Sequence, residues 1–131
     1  MKSGLLRSYA IDEKGKEHIF MFAPENWIIA DNLPQEVPSD LFIDALEDSE
    51  IVVLEKNIDK ENHSHKLIRR LSVLQKRVIM LMSASAIERY HDFENMYPQI
   101  IQRVPQKMIA SYLGITPEAL SKVKGEQAKE K

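Results

Sequence analysis

The sequence contains no cysteine, only four glycines, and no apolar run near the eighteen residues that a membrane-spanning helix requires. The absence of thiols excludes disulfides, zinc sites built on thiolates and cysteine-ligated iron–sulfur clusters. The N-terminal residues 1–7 lack the apolar core of a signal peptide. At 44% hydrophobic and 29% charged residues, the composition indicates a globular chain. We expect it in the cytoplasm, with no membrane partner.

The net charge of −2 hides an uneven distribution of charge along the chain. Residues 1–62 carry six Lys/Arg and fourteen Asp/Glu, a net charge of −8, whereas residues 63–131 carry twelve and six, a net charge of +6. An acidic half joined to a basic half is typical of a sensor or interaction domain attached to a phosphate-facing domain. Such asymmetry also occurs merely as an aid to solubility, so the charge does not decide the function alone.

The first 54 residues have the pattern of short β-strands with short connections, which is typical of a sandwich or a roll. The segment Glu17–Phe22 is almost continuously apolar in its second half, so we expect it to be covered on both faces. Asp12–Gly15 has the length and the final glycine of a hairpin loop. The pattern predicts four or five strands, and the clearest are Gly4–Ile11, Glu17–Phe22, Leu41–Leu46 and Ile51–Leu54.

From about residue 60 the period of the apolar residues changes to that of a helix. A seam of five residues has the spacing 4, 3, 4, 3 of heptad positions a and d: Leu67, Leu71, Leu74, Val78 and Leu81. No glycine or proline interrupts residues 62–97. We predict a long helix over residues 61–82 whose seam forms a parallel homodimer, although the seam could also pack within the chain. Ile68, Ile79 and Met82 lie off the seam and are expected to face the chain's own domains.

A second helix is predicted over residues 86–96. Ser85 and Glu88 have the spacing of a capping box at its start, and Pro98 ends it. Tyr90 and Phe93 are expected to be buried on one face.

The segment Gln106–Gly125 predicts two short helices joined by a turn. Gly114 suits the left-handed position that ends a first helix, and Thr116 can cap a second helix that begins at Pro117. Apolar residues fit two packed helices, namely Ile109 and Leu113 on the first, Leu120 and Val123 on the second, with the small Ala110 at their crossing. This pattern predicts a helix-turn-helix, although it also fits an αα-corner in another helical domain. After Gly125 we expect a polar, frayed tail.

Several of these segments resemble a known family. Glu88-Arg89-Tyr90, Tyr97-Pro98, Arg103-Val104-Pro105-Gln106, residues 109–118 and Leu120-Ser121 resemble the C-terminal part of Crp/Fnr-type transcription regulators, most closely the branch common in Bacteroidetes. Ser3–Arg7, Asp12–Glu17 and Ala45–Glu50 resemble that family's cyclic-nucleotide-binding-like β-roll.

This resemblance implies an α+β fold with a partial β-roll at residues 1–60, a long dimerisation helix at 61–82 and a C-terminal helix-turn-helix at 83–131. It also implies a dimeric transcription regulator whose recognition helix, residues 117–124, enters the major groove of a palindromic operator. The first strands of the family's roll are expected to be missing from this chain.

The sequence departs from the family at the position of the cyclic phosphate. No residue between Trp27 and Glu50 is basic, so a cyclic phosphate would find acidic side chains and no guanidinium partner. We therefore expect that cyclic AMP is not the effector. The effector stays unknown, and no cofactor is predicted.

The candidate DNA-binding residues lie on the two predicted helices. By resemblance, Glu118 matches the family's base-reading glutamate and Lys122 a position often held by arginine. A carboxylate can accept from the amino group of cytosine, and an ammonium can donate to guanine. The whole predicted set is Gln106, Lys107, Thr116, Pro117, Glu118, Ser121, Lys122 and Lys124, of which Gln106, Lys107 and Lys124 are placed best for phosphates. Each could instead be an ordinary solvated surface residue.

No arrangement of residues indicates an enzyme. The sequence contains no acid–base or nucleophile constellation, and His63 and His65 are two residues apart, so they do not share a helix face. We predict no catalytic and no metal-binding residue. The alternative function is a truncated interaction module, which would heterodimerise with a full-length relative and would not bind DNA independently.

Overall fold

The computed structural model describes residues 1–31, 33–34, 36–55 and 64–130. Within them the chain forms three strands followed by four helices. The strands are β1 (Leu6–Ile11), β2 (Glu17–Ala23) and β3 (Phe42–Ala45), and the helices are α1 (Ser64–Ser83), α2 (Ala86–Met96), α3 (Gln106–Leu113) and α4 (Pro117–Glu130). No helix in these residues is both long enough and apolar enough to cross a membrane.

The strands form one antiparallel sheet in the order β2-β1-β3. The β1–β2 hairpin has the predicted loop, in which Gly15 adopts a φ of 78° and the Asp12 carboxylate accepts the Lys14 and Lys16 N–H groups at 2.9 Å. The register shifts by one residue between Ser8 and Tyr9. Three predicted strands are thus confirmed, with small changes at their ends.

The prediction of a strand at Ile51–Leu54 is wrong. These four residues form no ladder with the described strands, and their side chains are 51–84% exposed. The last pairing before them is a single antiparallel bridge between Ser3 and Glu50. A β-like composition yields a strand only where a neighbouring strand supplies hydrogen bonds, and no described strand lies beside this segment.

The helices agree closely with the apolar periodicity. The capping box of α2 is present: the Ser85 N–H donates to the Glu88 carboxylate at 2.7 Å, and the Glu88 N–H donates to the Ser85 hydroxyl at 3.4 Å. The helix ends at Met96, with Tyr97 as its C-cap. The predicted first turn of the long helix, residues 61–63, lies outside the described residues.

One hydrophobic core joins the sheet to the helices. Phe22 of β2 is fully buried, and its ring lies 5.8–6.1 Å from the rings of Phe93, Tyr97 and Tyr112. Met21, Phe22 and Ala23 are buried in succession, which confirms that this strand is covered on both faces.

The division of the chain into three domains, residues 1–60, 61–82 and 83–131, remains a prediction.

Side chains from the helical part of the chain form hydrogen bonds with the backbone of β2. The Ser111 hydroxyl accepts the Ile19 N–H at 3.0 Å and donates to the Glu17 carbonyl at 3.2 Å. The Tyr97 hydroxyl accepts the Phe22 N–H at 3.3 Å, and Arg77 donates to the Phe20 carbonyl. Four backbone groups of this edge strand are therefore satisfied by α1, α3 and the end of α2.

Two arginines form ion pairs, one between strands of the sheet and one with the loops beside it. Arg7, buried in β1, donates to Asp44 of β3 at 2.7 and 3.1 Å and to Glu17 at 2.8 Å. Arg103, which follows α2, donates to both oxygens of Glu25 at 3.0 Å and also bonds Glu47. This guanidinium lowers the pKa of Glu25 to about 2.

The expectation that Ile68, Ile79 and Met82 face the chain's own domains is wrong. Their exposed fractions are 64%, 54% and 80%. The face of α1 that contacts the rest of the chain carries Arg77, which stacks on Tyr112 with 4.0 Å between the guanidinium carbon and the ring centroid.

Candidate nucleic-acid interface

The turn between α3 and α4 depends on Gly114. Its backbone is left-handed, with φ 66° and ψ 31°, and its N–H donates to the carbonyls of Ala110 and Ser111. The next N–H, of Ile115, returns to the Ala110 carbonyl at 3.0 Å. These bonds satisfy carbonyls that the end of a helix leaves open, and glycine adopts this conformation without strain.

The predicted start of α4 is confirmed. The Thr116 hydroxyl accepts the Ala119 N–H at 3.1 Å, and Pro117 occupies the first helical position. Leu120 and Val123 are 0% and 5% exposed on the inner face of α4. They join a core that includes the buried residues Ile109, Ala110 and Leu113 of α3. The two helices therefore form one packed unit, which we call the α3–α4 pair.

Arg89 connects this pair to α1, and no role was predicted for it from the sequence. The Arg89 guanidinium donates to the carbonyls of Leu81 at 2.6 Å, Ala84 at 3.2 Å and Leu113 at 3.1 Å. Leu81 lies in the last turn of α1 and Leu113 is the last residue of α3, so one cation caps two helix C-termini, where a positive charge is favourable. Local spacing gives no signal for the contact with α3, because Leu113 lies 24 residues away from Arg89 in the sequence.

The outer face of α4 carries the predicted base-reading residues. Glu118, Ser121 and Lys122 are all exposed, and none of them has a hydrogen bond or ion pair to another described side chain. A helix turns by about 100° per residue, so these three side chains lie roughly opposite Leu120 and Val123. The face is polar and free to contact a partner.

The expectation that α4 ends at Gly125 and frays is wrong. The helix continues to Glu130, and Gln127 donates to the Glu94 carboxylate of α2 at 2.9 Å, which holds the added turn against the core. Gly125 keeps a helical conformation, and no described residue lies close to where a side chain would be. As a result Lys129 also lies exposed near the outer face, a residue that the sequence analysis missed because it assigned the segment to a tail.

The residues predicted to contact phosphates lie at the edges of this surface. Gln106 and Lys107 are exposed in the first turn of α3, which begins after Pro105 without a side-chain cap. The N–H groups of that turn have no side-chain acceptor in the described part of the chain, and a helix N-terminus of this kind favours anions. Lys124 is half-buried at the side of α4.

The antiparallel sheet, the long α1 and the α3–α4 pair define a Crp/Fnr-like α+β fold. The chain is similar in structure to FixK2 from Bradyrhizobium japonicum, with a TM-score of 0.60 and 16% sequence identity over 98% of this chain and 73% of that chain. At this identity the similarity shows the fold alone. No protein-family model and no curated protein matches the sequence. The resemblance to the Bacteroidetes branch and the absence of the first strands of the roll remain predictions.

Proposed function

We propose that this protein is a dimeric, DNA-binding transcription regulator in which the outer face of α4 reads bases in the major groove. The observation that carries the proposal is an unpartnered polar face on a helix whose other face is fixed in the core and whose start is set by the Gly114 turn. The Crp/Fnr-like fold supports it.

In this proposal the polar residues divide into two roles. Glu118 and Lys122 contact base edges, because a carboxylate and an ammonium discriminate between the donor and acceptor patterns of the major groove. Gln106, Lys107 and Lys124 contact phosphates and set the register of the helix on the duplex. Ser121 lies between the base readers, while Thr116 and Pro117 hold the helix start beside the backbone.

The apolar seam of α1 supplies the dimer contact. Leu67, Leu71 and Val78 are 59%, 65% and 55% exposed, although they are apolar and recur on one helix face. An exposed stripe of this kind marks an interaction surface. Pairing two copies through it would place two α4 helices in successive major grooves, about 34 Å apart, on an inverted repeat.

The test of DNA recognition is a selection from random duplexes, repeated on three variants. We expect wild type to enrich an inverted repeat, Glu118→Ala to relax the preferred base in each half-site, and Lys124→Ala to weaken all sequences alike. The control is Glu130→Ala, which removes an exposed carboxylate away from the outer face. If wild type enriches no repeat, or if Glu118→Ala enriches the same motif with equal stringency, α4 is not the base reader and the interaction module becomes the better hypothesis.

The test of dimerisation is analytical ultracentrifugation of Leu71→Glu. A buried charge without a partner is strongly unfavourable, so this variant should sediment as a monomer where wild type sediments as a dimer. Ser72→Glu places the same charge on an exposed neighbouring position off the seam and should stay dimeric. A wild-type monomer at tens of micromolar would contradict the proposed seam.

A further inference from the structure

A cavity of about 420 Å³ lies where α1 faces α2 and α3. Its volume falls in the range of small-molecule sites, which is about 300–1,000 Å³. Five apolar or aromatic side chains dominate its lining: Val73, Met80, Phe93, Met96 and Tyr112. Two of them are methionines, whose flexible thioethers adapt to the shape of an apolar ligand.

The charged residues at this cavity are predominantly cations. Lys76, Arg77 and Arg89 line it together with one acid, Asp92. Neither arginine has a carboxylate partner within ion-pair distance in the described part of the chain. Both donate to backbone carbonyls instead. The Nε atom of Arg77 is inaccessible to solvent, and it has no hydrogen-bond acceptor among the described residues. Three cations against one carboxylate give the cavity a net positive charge, which favours an anion beside it.

We propose that this cavity, between α1, α2 and Tyr112 of α3, binds a small amphipathic carboxylate. The apolar lining takes the hydrocarbon body, and the carboxylate lies toward Lys76 and Arg77. A phosphate fits less well, because it requires several free donors and the terminal nitrogens of Arg77 and Arg89 already serve backbone carbonyls.

The position of the cavity suggests what the ligand would change. Arg77 of α1 donates hydrogen bonds to carbonyls of β2 and of Tyr112 in α3. Arg89 donates hydrogen bonds to carbonyls at the end of α1 and at the end of α3. A ligand that touches both arginines would therefore touch the residues that hold the α3–α4 pair in its position against α1. A regulatory effect on operator affinity would follow, and this part rests on the proposed DNA binding.

Methyl NMR of the six methionines tests binding directly, with decanoate as the probe and decan-1-ol as its neutral match. Decanoate should shift the methyl signals of Met80 and Met96, while Met1 and Met82, which do not line the cavity, serve as internal controls. The carboxylate should bind more tightly than the alcohol. If the Met80 and Met96 signals do not move at millimolar decanoate, or if the alcohol binds equally well, the proposal is wrong.

Two variants separate the roles of charge and space, and neither alters Arg77, which also supports the fold. Lys76→Gln should weaken decanoate about two- to fivefold, as for a partly exposed ion pair, whereas Lys66→Gln, on an exposed position outside the cavity, should not. Val73→Trp should fill the cavity and remove binding, with Ser72→Trp as its control. Equal affinity in Val73→Trp and wild type would place the ligand elsewhere. None of these measurements involves DNA, so their outcome is independent of the proposed function.

Discussion

The two helix-associated glycines of the α3–α4 pair should respond to the same substitution with opposite signs. Gly114 has a φ of 66°, whereas Gly125 lies inside α4 with no positive φ. Adding a methyl group at either position causes no steric clash. At Gly114 the added carbon would lie 3.6 Å from Leu81 and 3.7 Å from Arg89, which is ordinary contact, and at Gly125 it would have no atom of the described residues within 4 Å. The difference between the two sites is therefore purely conformational.

The size of each effect follows from the backbone. A left-handed conformation costs an L-residue about 1–2 kcal/mol, so Gly114→Ala should lower the free energy of unfolding by about 1 kcal/mol after the gain from a stiffer unfolded chain. Gly114→Asn should cost less than Gly114→Ala, because asparagine adopts this conformation more readily, and Gly114→Val should cost more. Gly125→Ala should raise the free energy of unfolding by about 0.5–1 kcal/mol, the usual gain within a helix.

Urea denaturation followed by circular dichroism measures these changes. With a slope typical of a small protein, 1 kcal/mol moves the midpoint by about 0.5 M, and the two alanine variants should move it in opposite directions. If Gly114→Ala is as stable as wild type, or if asparagine is no better than alanine there, the left-handed turn is not what this position requires. Unequal slopes would mean that the unfolded states differ and would require a second probe.

Three further stability effects follow from the contacts of the sheet. Arg103 lowers the pKa of Glu25 from 4.5 to about 2, so the unfolded state binds more protons in this window and stability should fall as pH drops from about 4.5 to 2. Glu25→Gln should flatten that part of the stability–pH curve, and an unchanged curve would contradict the ion pair. Tyr97→Phe leaves the buried Phe22 N–H without its acceptor and should lower the free energy of unfolding by about 1–3 kcal/mol; a neutral result in urea denaturation would mean that this bond contributes little. Gly4 has a φ of 96°, and Gly4→Ala would bring the new carbon to 2.6 Å from the backbone oxygen of Asp48. We therefore expect a severe loss of stability and of soluble expression. A urea denaturation curve close to that of wild type would refute this expectation.

The features that the sequence predicted correctly are those set by local chemistry. The Gly114 turn, the Thr116 cap and the Ser85–Glu88 box each need only a few consecutive residues, and each is present. The inner face of α4 followed from its spacing for the same reason. The predicted base readers are exposed as expected, although their contact with DNA is a proposal.

The features that the sequence did not predict depend on partners distant in the chain. Ile51–Leu54 has a strand-like composition, but no described strand pairs with it. Gly125 resembles a helix end in sequence, yet the bond from Gln127 to Glu94 of α2 holds the helix for another turn. The contacts of Arg77 and Arg89 span 5 to 57 residues of sequence, and those to β2 and α3 span at least 24, so no local pattern predicts them.

The side-chain bonds along β2 have a consequence for how this sheet can aggregate. An open edge strand is a template on which another chain can add, and a fibril grows only when each added sheet exposes a second open edge. Here Ser111, Tyr97 and Arg77 occupy backbone groups of β2, which leaves β3 as the more accessible edge. Edge-to-edge pairing through β3 would therefore stop at two molecules as long as the helices stay docked. Conditions that release the helices from β2 would remove that limit, so fibril formation should follow helix undocking rather than precede it.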